Sequence, residues 1–585
     1  MMGQFASVKY QGTTDYTDTI GGTGAWTAGQ IRTIDKGVAS TICRDAEKFL
    51  LISDAVDAAY TTDANGNVTG LVGPDGSTIV SFPGTNNIGT PGKQGFGVGV
   101  CPALPVDYLL MPGGTDIASD NYGNYQYIDG SIMVWIPAFY YRINHASNPT
   151  YEGYTVNSVD VQPYSAFSSV AAANAAGYAL HRAFYDGGAI QPGFFIDKYQ
   201  ASNNGGIASS VKNGNPLSTN SVHNPIGSLT GLTAGDNNFG GCFKAAKTRG
   251  ARFFPTMRYQ YAALALLALA HGQASTTYHN AWCAWYDAAG TNNFPKGCNN
   301  NALGDTNDST VKYVSDGYSN CGKTGSATNF AKTTHNGQVS GVADLNGNVW
   351  EVSPGITCVA GTVNISGVTL ANPVNLTVVG HGRTTGQMVA IQSVGGTTQL
   401  NDRLYTCTVV DADHITLDGV DGTAFGAYTS GGTLRYGTFY ALNTSYAAKD
   451  LTGGNTLATD QFGATGVANH STAIVPTFRT DYSQNSFDKR YGRGSNQVLN
   501  AATSGDGWTL TGLGMPLAAG ISDGISGSNL FGADYLDQKI TNELCLLSGA
   551  PWDHGSRAGV WAAYWGTARA NSIFYVGFRA ASYLA

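Results

Sequence analysis

Hydrophobic and polar positions change rhythm several times along this chain, and the changes divide it. Up to about residue 125, short apolar pieces such as Lys48-Phe49-Leu50-Leu51-Ile52 alternate with turns such as Asp63-Ala64-Asn65-Gly66-Asn67 and Pro74-Asp75-Gly76, which predicts short strands. From Ser131 the run IMVWIPAFYYRI predicts a buried strand. AAANAAGYALHRAF, within Val170 to Phe184, is dense in helix formers and predicts a helix. A second helix is predicted in RFFPTMRYQYAALALLALA, Arg252 to Ala270, with Thr256 as its cap. Between Pro354 and about Tyr436, β-branched runs (VNISGVTLANPVNLTVVGHG, MVAIQSVGG, RLYTCTVV, HITLDGV) are parted by Gly, Asn and Asp turns, which predicts an inserted β-module hung from a surface loop. The expected organisation is an N-terminal β-rich attachment or assembly region over 1–125, one α+β domain over 126–354 and 437–585, and the β-module over 355–436.

The last stretch, WDHGSRAGVWAAYWGTARANSIFYVGFR from Trp552 to Arg579, has no period at all. A framework of small and apolar residues (Ala558-Gly559-Val560-Trp561, Ala568-Arg569, Val576-Gly577-Phe578-Arg579) reads as packed strand and turn. Between its parts lie Asp553, His554, Arg557, Tyr564, Gly566, Thr567, Ile573, Phe574 and Tyr575. These nine share no chemistry, but each is reached from an asparagine codon by changing only the first two bases, both adenines. Tyr564, Phe574 and Tyr575, with Trp561 and Trp565, offer aromatic area suited to recognition at low entropic cost, and Asp553, His554, Arg557 and Thr567 add polar selectivity.

Composition narrows the function classes. Of 585 residues, 78 are Gly and 32 Tyr while only 12% are charged, which argues against disorder and for short strands, ordered loops and aromatic surfaces. A net charge of −8 without any Lys/Arg run argues against nucleic acid. The most apolar run, Tyr261 to Ala270, is too short to span a bilayer, and MMGQFASVKYQG lacks the basic and apolar regions of a secretory signal. Nine cysteines, an odd number with no C-x-x-C pair, predict reduced thiols rather than a disulfide framework or a zinc site.

The spaced framework W-x-x-G-x-x-A-G-V-W, A-R-x-N-S and V-G-F-R resembles the variable region of diversity-generating retroelement target proteins, in which adenine-directed mutagenesis randomises binding residues. Upstream, GFFIDKYQASN (Gly193 to Asn203), RFFPTMRYQYAALALLALA and GVADLNGNVWEV (Gly341 to Val352) resemble in order the motifs of the formylglycine-generating-enzyme family. The resemblance implies a C-type-lectin-like fold from about residue 131 to 585, with the nine residues as its variable ligand-binding set. Tyr259 departs from the family at the position of a capping-box glutamate, so Thr256 should lose its reciprocal partner. HITLDGVDGTAFGAYTSGGTL resembles the FCCH-type module of phage tail proteins. Together these resemblances imply a phage or prophage tail-fibre protein in the virion. It would act as a homotrimer, contact other tail proteins through its N-terminal region and bind a bacterial cell-surface protein or glycan.

Chemistry-bearing motifs are weaker. GYSNCGKT, Gly317 to Thr324, matches a phosphate-binding loop formally, but a poor helix former follows. The Asp63 loop has Pro74 where a calcium-binding loop needs glutamate. In Gly341 to Val352 the acids Asp344 and Glu351, with Asn346 and Asn348, are expected to hold a turn around the anchor Trp350, or to offer oxygens to a calcium ion; no other cofactor is expected. The family's oxidases hold copper with a cysteine pair in the final motif; no cysteine follows Cys545 here, and Ala580 stands after G-F-R. No catalytic residue is expected, and an oxidoreductase of the formylglycine-generating type or a fixed structural tail protein stand as the alternatives.

Overall fold

A computed structural model describes residues 87–105, 107–277, 295–459, 466–476, 512–515 and 534–584, and elsewhere the backbone of isolated strands; the Asp63 turn, Cys43 and Cys283 lie outside the described residues. The fold is mixed α and β, mostly β-sheet with few helices. Phe49–Ser53, which contains the apolar run read from the sequence, pairs antiparallel with Phe5–Tyr10.

The main sheet has six strands in the order Phe254–Pro255, Ala580–Ser582, Gly193–Asp197, Ile132–Pro137, Asn124–Tyr127, Tyr108–Leu110. Near-continuous apolar runs make its central strands: FFI of Gly193–Asp197 and MVWI of Ile132–Pro137 are fully buried. The helix Arg258–Thr277 packs on the strand Val159–Pro163 and the turn Arg182–Phe184, and every residue from Tyr259 to Ala270 is buried. A helix apolar on all sides must be enclosed on all sides.

Two local expectations fail for identifiable reasons. The second helix starts at Arg258 rather than Arg252, because Phe254–Pro255 is used as a strand against Ala580–Ser582. Thr256 does not cap it: its hydroxyl is buried without a hydrogen-bond partner, whereas Gln260 Oε1 accepts the Met257 N–H at 2.9 Å, half of a capping box moved one residue on. The first helix covers only Val170–Ala175, with Ser169 Oγ accepting from Ala172 N. Gly177 at φ +81° then ends it, Tyr178 N–H donates back to Ala173 O at 2.9 Å, and Ala179–Leu180 joins Phe139–Ile143 as a strand.

From Ile356 to Leu442 the chain builds a second sheet. Its first strand, Ile356–Asn364, and its last, Thr433–Leu442, run antiparallel along their whole length, so the chain enters and leaves side by side. Beyond them a separate apolar cluster forms around Val374, Leu376, Ile391, Leu400 and Ile415.

A five-stranded sheet carries the C-terminal stretch, ordered Leu536–Asp537, Ala563–Tyr564, Leu547–Ser548, Trp350–Val352, Val576–Gly577. One buried ionic network bolts it to the main sheet. Arg579 donates to both Glu351 oxygens at 2.6 Å and to Asp197 O, while the Asp197 carboxylate accepts from Arg249 at 2.6 Å and from Ala580 N–H at 2.8 Å.

Candidate functional site

The framework of the C-terminal stretch is held by residues outside it. Asp534 Oδ2 accepts the Trp561 N–H at 2.9 Å, and Gly559 passes so close that a Cβ there would lie 2.0 Å from the same carboxylate. The buried Arg258 guanidinium donates to Trp561 O at 3.1 Å and to Ser548 Oγ at 3.0 Å. Further on, Thr219 N–H donates to Val576 O at 2.7 Å, the Thr219 hydroxyl exchanges hydrogen bonds with the Ile573 main chain at 3.1 Å, and Trp350 N–H donates to Tyr575 O at 2.8 Å. None of these backbone anchors uses a side chain of the nine singled out from the sequence.

Those side chains gather. His554, Arg557, Tyr564, Gly566, Thr567, Ile573 and Tyr575, seven of the nine, line one cavity of about 250 Å³, together with Trp350, Tyr535, Leu547 and Asn571. Trp350 and Tyr535 form its aromatic floor. Tyr564 stacks on both, with centroids 6.0 and 6.3 Å away, and His554 meets both edge-on at 5.4 and 5.6 Å. Asp553 and Phe574 fall outside the lining: both are exposed, and the Phe574 ring leans toward Trp552 and Tyr575.

Exposure separates framework from the nine with two exceptions, Thr567 and the half-buried framework residue Ala568. Ala558 to Ala563 are buried, whereas eight of the nine are exposed or half-buried; Thr567 is only 4% exposed. Trp561 and Trp565, expected to add recognition area, are sealed in the core, at 0% and 2% exposure, so the aromatic surface comes from Tyr564, Phe574 and Tyr575. The sequence put framework residues on the surface because an indole is equally at home in a core and at an interface.

Burial sets the electrostatics of the cavity and its rim. Burial, then Asp537 and Tyr575, pushes the Tyr564 phenol up to about 12. Burial also raises Tyr575, and it raises Asp553 against the pull of Arg557. Among the described residues no carboxylate or thiol lines the cavity. Its wall offers imidazole, guanidinium, neutral phenols and aromatic faces, a set that stacks and hydrogen-bonds.

No protein-family model matches the chain, and no curated protein matches it. The functional reading therefore rests on the residues.

The other motifs resolve into structure. Gly317 to Thr324 is a turn closed by a Ser315–Gly322 bridge, and the next regular element is a single 3₁₀ turn, Phe330–Thr333, so no α-helix follows it as a phosphate-binding loop requires. In Gly341 to Val352, Asp344 and Asn348 adopt left-handed φ of 57° and 67°, as turn chemistry predicts. Its side-chain oxygens are engaged by protein donors. Asp344 accepts from Tyr313 Oη and Gly325 N–H, Asn346 from Asn299 Nδ2, Asn348 from Gly322 N–H, and Glu351 from Arg579 and Gln200. This turn does not fit a calcium ion, which needs six or more oxygens converging on one point. The described cysteines are all free and buried, and burial pushes Cys545 up to about 12.

Sequence reasoning missed one cluster. His223, Asp316 and Cys321 bring an imidazole nitrogen, a carboxylate oxygen and a sulfur within 4.8 Å of one another. The imidazole and carboxylate are in direct hydrogen-bond contact at 2.6 Å. Tetrahedral zinc, with bonds of about 2.0–2.1 Å, would hold those two atoms roughly 3.3 Å apart. The set reads as a hydrogen-bonded pair beside a thiol. Only folding brings these loops together, and no spacing signals it.

Proposed function

We propose that this protein is a non-enzymatic receptor-binding protein whose C-terminal residues form a changeable ligand site. The observation that carries the reading is the sorting of the final stretch: seven of the nine residues singled out by a codon rule line one cavity, while the framework runs Ala558 to Ala563 and Val576 to Arg579 are buried and held from outside. A site built so can change partner at little cost in stability, because substitutions at exposed positions rarely matter. The resemblances of the sequence extend the proposal to a C-type-lectin-like domain of the formylglycine-generating type, diversified by a retroelement and carried on a phage or prophage tail fibre. Its target is a bacterial surface protein or glycan, and trimerisation would multiply weak single-site binding.

The test is the DNA around this gene. A near-copy of the codons for Trp552 to Arg579, beside a reverse transcriptase and differing only at adenines of the nine positions, is the expected result. If there is no such copy, diversification fails and a fixed-specificity adhesin replaces it. Binding of the purified protein to host cells, abolished by His554→Ala with Tyr564→Ala while the fold persists, tests the site itself.

A further inference from the structure

A larger cavity, of about 530 Å³, shares no lining residue with the cavity of the nine. All five residues of the strand Val159–Pro163 line it, with Ala270 and Ala274 of the buried helix behind them. That strand is the edge of a three-stranded sheet. It pairs antiparallel with Phe139–Ile143 and, among the described residues, with no strand on its other side. The phase of the ladder fixes which main-chain groups turn outward. Asn144 N–H donates to Ser158 O at 3.0 Å, so Ser158 faces the neighbouring strand, and Asp160 and Gln162 face it too. Val159, Val161 and Pro163 turn the other way, and Val159 N–H donates outward to Gln273 Oε1 at 2.9 Å. Pro163 has no N–H to offer. Val161, only 1% exposed, is left with both N–H and C=O open on the edge, and neither has a partner among the described residues. Buried main-chain groups are rarely left so.

A second polar group is unsatisfied at the same place. Asp160 is 5% exposed and lines the cavity. Tyr178 Oη, Gln162 Nε2 (3.1 Å) and Arg142 Nη2 (3.9 Å) all approach one of its oxygens, Oδ2. Its Oδ1 has no donor among the described residues. We propose that this cavity is a peptide-binding site, in which an extended segment of a partner protein adds antiparallel to the free edge of Val159–Pro163.

The groups on the wall set the chemistry of that segment. The peptide residue opposite Val161 exchanges both main-chain hydrogen bonds with it, as strand addition requires. Side chains alternate along a strand, so this residue is small and apolar, like Val161, and its neighbours stand beside Asp160 and Gln162. One of those neighbours donates to Asp160 Oδ1. A neutral donor such as a serine hydroxyl or an asparagine amide suffices, because Arg142 already stands by the carboxylate. No aromatic ring lines the cavity to stack a sugar, which leaves main-chain pairing as its means of recognition. The site stands apart from the receptor function proposed above and does not rest on it.

A random library of capped heptapeptides, selected on the full-length protein, tests the site. The expected result is a set of peptides that alternate apolar and donor residues and bind Val161→Pro about tenfold or more weakly than the wild type. That substitution deletes the outward N–H and breaks no bond of the existing ladder. Amide hydrogen exchange, read residue by residue, gives a second measurement that stands even if the variant does not fold. In the free protein Val161 should exchange about tenfold or more faster than Asp160 and Gln162, whose N–H groups lie in the ladder, and a selected peptide should slow it to their level. Equal protection of the three in the free protein means that the edge is already covered, and overturns the proposal. A library that yields no peptide slowing Val161 overturns it as well.

Discussion

A sharp consequence of the proposed site is that the framework and the displayed residues should differ in what their loss costs. Trp561 is 0% exposed, and its main chain is held by Asp534 and Arg258. Trp561→Ala empties a large closed volume, for which about 3–5 kcal/mol is typical. The opposing perturbation is a fourfold variant, Asp553→Asn, Arg557→Ser, Ile573→Asn and Phe574→Asn. Each of these side chains is exposed or half-buried, and exposed changes stay within about 0.5 kcal/mol. The four together should cost at most about 2 kcal/mol. In a folding unit of this size 1 kcal/mol moves the transition by about 2 °C or less. Differential scanning calorimetry, which does not depend on the tryptophan signal being altered, should give a drop of up to about 6–10 °C for Trp561→Ala and clearly less, up to about 4 °C, for the fourfold variant. If the fourfold variant falls as far as Trp561→Ala, these side chains belong to the core. The argument for a displayed, exchangeable set then collapses.

Three further predictions come from particular contacts. At Gly566 a Cβ would meet the Tyr564 hydroxyl at 2.5 Å, so Gly566→Ala must swing the Tyr564 ring off its aromatic floor. Gly566→Ala alone should cost about 1–3 kcal/mol and almost nothing in a Tyr564→Ala background, a coupling that a double-mutant cycle of urea midpoints would detect. Glu351→Gln strips the charge opposite the buried Arg579 and should cost about 3–5 kcal/mol in the same assay; an unchanged midpoint would show that the ion pair is not what joins the two sheets. Lys198 donates to Asn124 Oδ1 at 2.5 Å and Val339 O at 2.6 Å, and burial, opposed by Asp120 and aided by Lys212, pushes its ammonium down to about 7. Below that pH both states hold the proton and the burial penalty is complete, whereas above it the native state releases the proton first and gains stability until the unfolded chain titrates. From pH 6 to pH 9 the wild type should therefore gain roughly 2–3 kcal/mol relative to Lys198→Met, and a constant difference would contradict a buried titrating amine.

What could be read from the sequence depended on whether the signal was local. The Gly341 to Val352 turn was legible because Asp, Asn and Gly favour left-handed backbone, and Asp344, Gly347 and Asn348 adopt it. The buried helix was legible in body and wrong at its start, since nothing within Arg252 to Met257 reveals that Phe254 will pair with Ala581. Val170 to Phe184 misled because helix propensity is a weak prior, overridden by Gly177 and by strand pairing with Tyr140 and Tyr141. Seven of the nine residues converge on one cavity, yet its floor of Trp350 and Tyr535 comes from distant segments, and only the fold unites them. His223 and Asp316 meet across loops with no pattern at all.

The strand Ala580–Ser582 lies between Phe254–Pro255 and Gly193–Asp197, directly after the stretch of nine. Any insertion or deletion of a single base within the codons of that stretch would garble those for Val576 to Ser582 as well. The product would lack Arg579 and the strand that fills the sheet, and would be left to proteases before assembly. If the stretch is diversified as proposed, placing it upstream of a keystone would make folding itself a proofreader: in-frame exchanges would pass, and out-of-frame errors would not reach a surface from which they could bind.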